Sequence, residues 1–137
     1  MVLLIPERVG NRRLDTFSNV LTNPNVALIF FVPGLGEALR VMGRDRITDD
    51  PTLLVELAEQ GIVPKCALDV TVDKAFFHCA KALLRSNLWD ASTQLPKSSF
   101  ATMGRLMKEH SKVTMDLHEL EQIIEEEYRD NLYGKNV

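Results

Sequence analysis

Asn11-Arg12-Arg13 sets two guanidiniums beside an asparagine at the predicted start of a helix. Free amide hydrogens and the positive end of a helix dipole favour an anion there, and each guanidinium adds a fixed charge and a fork of donors. A phosphate monoester suits that set; the competing reading is two solvated arginines on a surface helix. Lys81, Arg85 and Ser86 are spaced so that they can bring cations to one ligand, although surface Lys and Arg are common. His78-Cys79 offers a metal ligand or a nucleophile–base pair. Adjacent strand residues face opposite ways, however, and Cys66, His110 and His118 lie far along the chain. A partly buried histidine and a small apolar cysteine are the simpler reading. Gly34-Leu35-Gly36 lacks the third glycine of a dinucleotide fingerprint and precedes a strand, so it reads as a hairpin turn. Glu125-Glu126-Glu127 reads as a solvated helix face. No Ser-His-Asp spacing, P-loop or paired-carboxylate pattern is evident.

Composition narrows the classes. A chain of 137 residues, 45% apolar and 26% charged, supports one globular core but not two. Sixteen Lys and Arg against nineteen Asp and Glu leave a net charge of −3, which argues against a nucleic-acid partner. The longest apolar run, Val26 to Val32, is far short of the ~20 residues a bilayer crossing takes, so no membrane partner is expected. Two cysteines cannot build the framework of a secreted domain, and no leader opens the chain; a reduced, cytoplasmic location is expected.

The elements follow from periodicity. Met1 to Ile5 is a β-prone apolar run ended by Pro6, and a buried strand at residue 1 suggests the interior of a longer domain. Asn11 is a candidate N-cap for a helix carrying Leu14, Phe17, Val20 and Leu21, which stops before Pro24. Strands are predicted over about 2–5, 25–32, 37–47 and 67–83, with boundaries good to ~2–4 residues. On the third, Leu39, Val41 and Ile47 point one way and Arg40, Met42, Arg44 and Arg46 the other. Asp50-Pro51 opens a helix that Gly61 ends, with Leu54, Leu57 and Ala58 inward. Residues 87–99 read as a polar loop around Trp89 and Pro96. The tail is helical, with Leu117, Leu120, Ile124, Tyr128 and Leu132 in one stripe and Asp116 with Glu119 as a capping box. Short hairpins without a repeated βαβ unit predict an α+β, mainly β, antiparallel domain.

Taken in order, Ile5-Pro6-Glu7-Arg8-x-Gly10-Asn11-Arg12-Arg13-Leu14-Asp15, Asn19, Asn23-Pro24, Phe31-x-Pro33-Gly34 and Glu37-Ala38-Leu39-Arg40-Val41-x-Gly43-Arg44 resemble the pyridoxamine-5′-phosphate-oxidase-like, FMN-binding split-barrel family. Phe77-His78-Cys79-x-Lys81-Ala82-x-x-Arg85-Ser86-x-Leu88-Trp89 is similar to a second block of its branch of probable FMN-dependent enzymes of unassigned substrate. The resemblance covers roughly residues 3–90. It implies an antiparallel split β-barrel with flanking helices, here lacking the two strands that usually open it. Residues 1–97 would form the partial barrel and 98–137 its helical tail. Ala38 stands where the branch usually has threonine, and Met42 where it has asparagine, so one hydroxyl contact to the flavin is missing.

The same resemblance implies an FMN cofactor whose phosphate is held at Asn11, Arg12 and Arg13, behind the strand end Pro6-Glu7, with Arg40 as a further contact. Lys81, Arg85, Ser86 and Trp89 would approach the flavin ring across a homodimer. The expected activity is flavin-dependent oxidation or reduction of an unidentified small molecule, with no side chain required as acid or base. The alternative is a truncated, non-catalytic fragment that binds flavin or only dimerises.

Overall fold

A strand that buries one face must alternate apolar and polar side chains, and the third predicted strand does so from Leu39 to Ile47, apart from Met42 on its polar side and Asp45 on its apolar side. In the structure, a computed structural model describing residues 1–10 and 13–133, that strand is the one around which the sheet is built. The chain divides into two compact units, Met1–Thr93 and Gln94–Val137. The first holds β1 (Val2–Pro6), α1 (Asp15–Thr22), β2 (Asn25–Phe31), β3 (Ala38–Thr48), α2 (Pro51–Glu56), β4 (Ala67–His78) and α3 (Lys81–Ser86). The second holds α4 (Met103–His110) and α5 (Leu117–Asp130).

The four strands form one sheet in the order β1-β4-β3-β2, every pairing antiparallel. The fold is therefore α+β with a sheet that is not closed, its outer strands being β1 and β2. β3 pairs with β2 from Asn25↔Arg44 to Phe31↔Ala38, and with β4 from Ala38↔His78 to Thr48↔Ala67. The β3–β4 register shifts once, between Met42 and Gly43, where Asp73 is the extra residue of β4. Gly43 is required at this shift: a Cβ there would lie 2.3 Å from the Thr71 carbonyl oxygen.

α1 lies on one face of β3. Val20 is buried there, as are Val41 and Val70 of the sheet. The core is small, and Val70 is its largest fully buried side chain. Large side chains at the far end of the sheet stay open, Phe77 at 78% exposure and Phe31 at 47%. Between β1 and α1, Arg8 reaches across to donate to the Leu57 carbonyl at 2.6 Å.

Four local expectations are corrected. The strand predicted to run through residue 83 ends at His78, and Lys81–Ser86 is helical. His78 pairs with the first residue of β3, so the chain beyond it has no partner, and Ala80 to Leu84 are good helix formers. α2 ends at Glu56 rather than near Gly61, because Gln60 and Gly61 take positive φ values of 51° and 78° in a tight turn closed by the Glu59↔Ile62 bridge. α1 begins at Asp15, with Leu14 in the cap position and no side-chain cap bond; the N-cap expected at Asn11 lies outside the described residues. In α5 the apolar stripe holds through Leu117, Leu120 and Ile124, but Tyr128 and Leu132 are about 60% exposed.

Both expected helix starts at aspartates hold. Asp50 accepts from the Thr52 amide at 2.9 Å, and Asp116 from the amides of His118 and Glu119 at 2.9 and 3.4 Å. These bonds, from Thr52 in one case and from Glu119 and then His118 in the other, hold each carboxyl below the usual aspartate value. Thr102 caps α4 through the Arg105 amide at 3.3 Å, and its hydroxyl donates to Glu121 of α5.

Gly43→Ala is expected to cost about 1–3 kcal/mol, the range for overpacking, because the obstacle is ladder backbone. Urea denaturation checks it; an unchanged midpoint would mean that β3 and β4 separate more easily at the shift than their register indicates.

Candidate functional site

The basic segment leads from β1 into α1. Pro6 closes β1 opposite Ala67, and the Glu7 amide extends that ladder by donating to the Cys66 carbonyl at 3.0 Å. Burial pushes the Cys66 thiol up, and the Glu7 and Asp49 carboxylates add to the effect, which favours the protonated thiol at neutral pH. Asn11 and Arg12 lie outside the described residues. Arg13 donates through Nε to Asp15 in the first turn of α1, at 3.1 Å, with both side chains at least 70% exposed. An exposed pair of this kind contributes ~0–1 kcal/mol, so a better anion can displace the carboxylate.

The arginines of β3 differ in what they meet. Register places Arg40, Met42, Arg44 and Arg46 on one face with Phe76, Lys74, Thr71 and Asp69 of β4. Arg46 donates from Nε and NH2 to Asp69, at 2.8 and 2.6 Å, and Asp69 is buried. Arg44 pairs with Asp73, the extra residue at the register shift, at 3.5 Å. Arg40 has no carboxylate partner among the described residues; its cross-strand neighbours are Ile29 and Phe76. Lys74 stands 5.4 Å from the centre of the Phe76 ring. α1 covers the face of β3 opposite to Arg40.

The second block folds back on the β2–β3 turn. Trp89 donates its indole N–H to the Leu35 carbonyl at 2.6 Å. Gly36 lies so close to Ala80 that a Cβ would approach within 2.8 Å of its methyl. Lys81, Arg85 and Ser86 follow β4, as expected, on a short exposed helix, and the Ser86 hydroxyl donates to Leu83 of its own turn at 3.1 Å. Trp89, α3 and the turn form one cluster at the end of the sheet where Arg40 lies. Among the described residues, no group of three His, Cys, Asp or Glu is placed to hold a metal.

Sequence reasoning missed Asp45. Parity puts it on the apolar side of β3 with Val41, and the structure buries it to 5% exposure beneath α1. Among the described residues, neither carboxylate oxygen has a hydrogen-bond partner. Burial, the largest cause, pushes its carboxyl up; the backbone of Arg46 pulls the other way, the Asp69 charge adds to the rise, and the backbone of Asp69 opposes it least. Asp45 lines a pocket of about 240 Å³ with Thr16, Asn19, Val20 and Asn23 of the α1 segment and Val70 of β4. The signal was available: Asp45 is the one charged residue among the inward positions 39, 41, 43, 45 and 47.

Compared with family models, curated proteins and solved structures, the chain gives no match.

The buried carboxyl makes stability depend on pH. Its folded-state value lies above the unfolded 3.8, so its contribution is present below that pH and is lost as pH rises through the folded value. Asp45→Asn removes this dependence and leaves that of the exposed carboxylates unchanged. Denaturation from pH 4 to pH 7 should show the parent losing stability relative to Asp45→Asn as pH rises; a constant difference would mean that Asp45 is not desolvated.

Proposed function

We propose that this protein binds flavin mononucleotide in the manner of the split-barrel family and uses it to oxidise or reduce a small molecule. The observation that carries the reading is Arg40. Its neighbours Arg44 and Arg46 are each matched with a carboxylate, whereas Arg40 stands on an open strand face beside Phe76 with none among the described residues. A guanidinium next to an aromatic ring suits a planar, anionic ligand. The order of motifs across residues 3–90 and the antiparallel meander of β2, β3 and β4 support the same reading.

The residues fit the group in charge. Arg12 and Arg13 would hold the phosphate, Arg13 exchanging its exposed pair with Asp15 for a doubly charged oxyanion. Arg40, on the face of β3 opposite α1, would serve the flavin of a second copy or a separate part of the ligand. Trp89, held by Leu35, with Lys81 and Arg85 on α3, would border the ring. The bound flavin supplies hydride transfer, and the side chains orient it and shape access for substrate. A homodimer belongs to this reading, since both outer strands and Phe30, Phe31 and Phe77 are open to a partner chain. The reading places the protein in the cytoplasm; among the described residues no helix is long and apolar enough to cross a membrane. The open sheet favours a second reading, a non-catalytic module that binds flavin or only dimerises.

FMN titration followed by the fluorescence of Trp89, the one tryptophan in the chain, tests the proposal. Quenching with saturation is expected. Replacing Arg12 and Arg13 together by Ala should weaken binding about a hundredfold, since each charge-assisted bond contributes ~1.5–3 kcal/mol and ~1.4 kcal/mol is tenfold. Arg129→Ala, in α5, should leave it unchanged. Equal affinity in the double variant would move the phosphate elsewhere. A parent that binds no FMN would leave the non-catalytic reading, and a monomer by light scattering at micromolar concentration would remove the dimer from both.

A further inference from the structure

We propose that the pocket between α1 and the sheet is a binding site for a small aliphatic ammonium compound, its cationic head on Asp45 and its hydrocarbon body against Val20 and Val70. Three observations combine. Asp45 is 5% exposed, with both oxygens nearly closed to solvent and, among the described residues, without a hydrogen-bond partner. The pocket it lines holds about 240 Å³, below the ~300–1,000 Å³ of sites for drug-sized ligands, so its occupant is small. Its polar lining beyond Asp45 is neutral, chiefly Thr16, Asn19 and Asn23, and the rest is aliphatic.

These features select the chemistry. An ionised carboxylate out of water is stable only when paired or hydrogen-bonded. Among the described residues the lining has no cation of its own, and Arg44 and Arg46 project from the other face of β3, each toward another aspartate. An ammonium group supplies one positive charge and three donors, enough for Asp45 and for the hydroxyl and carboxamide oxygens around it. A divalent metal would be left with one uncompensated charge. A neutral alcohol satisfies the oxygens but not the charge. None of the described residues assigned to the flavin lines this pocket, so the inference stands or falls apart from the flavin reading.

Amide chemical-shift mapping of the full chain at neutral pH tests it, with n-butylammonium as probe and n-butanol and calcium chloride in parallel. Saturable shifts centred on Asp45, Asn19 and Val70 are expected for n-butylammonium, at least tenfold tighter than for n-butanol, with none for calcium at those positions. Asp45→Asn, confirmed folded by its amide spectrum, should bind n-butylammonium at least tenfold more weakly. If that variant does not fold, the parent's shift map and the alcohol comparison decide. Equal binding of the alcohol, equal binding to the Asn variant, a calcium response at Asp45, or shifts confined to exposed carboxylates such as Glu125 to Glu127 would each overturn the proposal.

Discussion

β3 is hydrogen-bonded on both sides, to β2 through Phe31↔Ala38 and to β4 through Thr48↔Ala67, and the rest of the first unit depends on that constraint. A strand held at both edges cannot slip by one residue without sending every side chain to the other face. Its parity therefore sorts the charges. Arg40, Arg44 and Arg46 are committed to one face; Val41, Gly43 and Asp45 are committed to the other, under α1. The α1–β2 connection is tied to the same strand, since the Asp45 amide donates to the Pro24 carbonyl at 2.8 Å.

This sorting gives each face a different electrostatic character. On the arginine face, Asp69 and Asp73 neutralise two of the three guanidiniums, and the register shift at Gly43 is what presents Asp73 to Arg44. Arg40 has no such carboxylate among the described residues. On the other face a lone carboxylate is enclosed with neutral amides and aliphatic side chains. A fold whose largest fully buried side chain is a valine has little hydrophobic surplus with which to offset such a group, so a buried unpaired aspartate is a considerable concession in stability.

The strands could be read from the sequence in two ways, Val2–Pro6 and Asn25–Phe31 from short apolar, β-prone runs and Ala38–Thr48 from alternation, and each falls within a residue or so of where the pattern puts it. What failed depended on partners outside the local window. Whether the chain after His78 stays extended is decided by where β3 starts, and Ala80 to Leu84 reads equally well as a strand or a helix. The length of α2 is decided by the positive-φ turn at Gln60-Gly61, which interrupts a helical pattern still present at Leu57 and Ala58. Candidate site residues stand out in the sequence where types cluster, as at Arg12-Arg13 or Lys81 and Arg85. Asp45 was overlooked because its neighbours in sequence are arginines, although its neighbours in space are Asn19, Val20 and Val70. The Trp89–Leu35 bond, spanning 54 residues, has no local signature at all.

The state of the Asp45 carboxyl is the most direct measure of how β3 divides the molecule. Its side-chain carbon resonance can be followed by NMR through an acid titration of the unliganded protein. A titration midpoint above the 3.8 of an unperturbed aspartate is expected, because α1 and the sheet exclude water from both oxygens. A midpoint at or below 3.8 would contradict this: the carboxylate would then be solvated or paired, and the two faces of β3 would not be segregated as described.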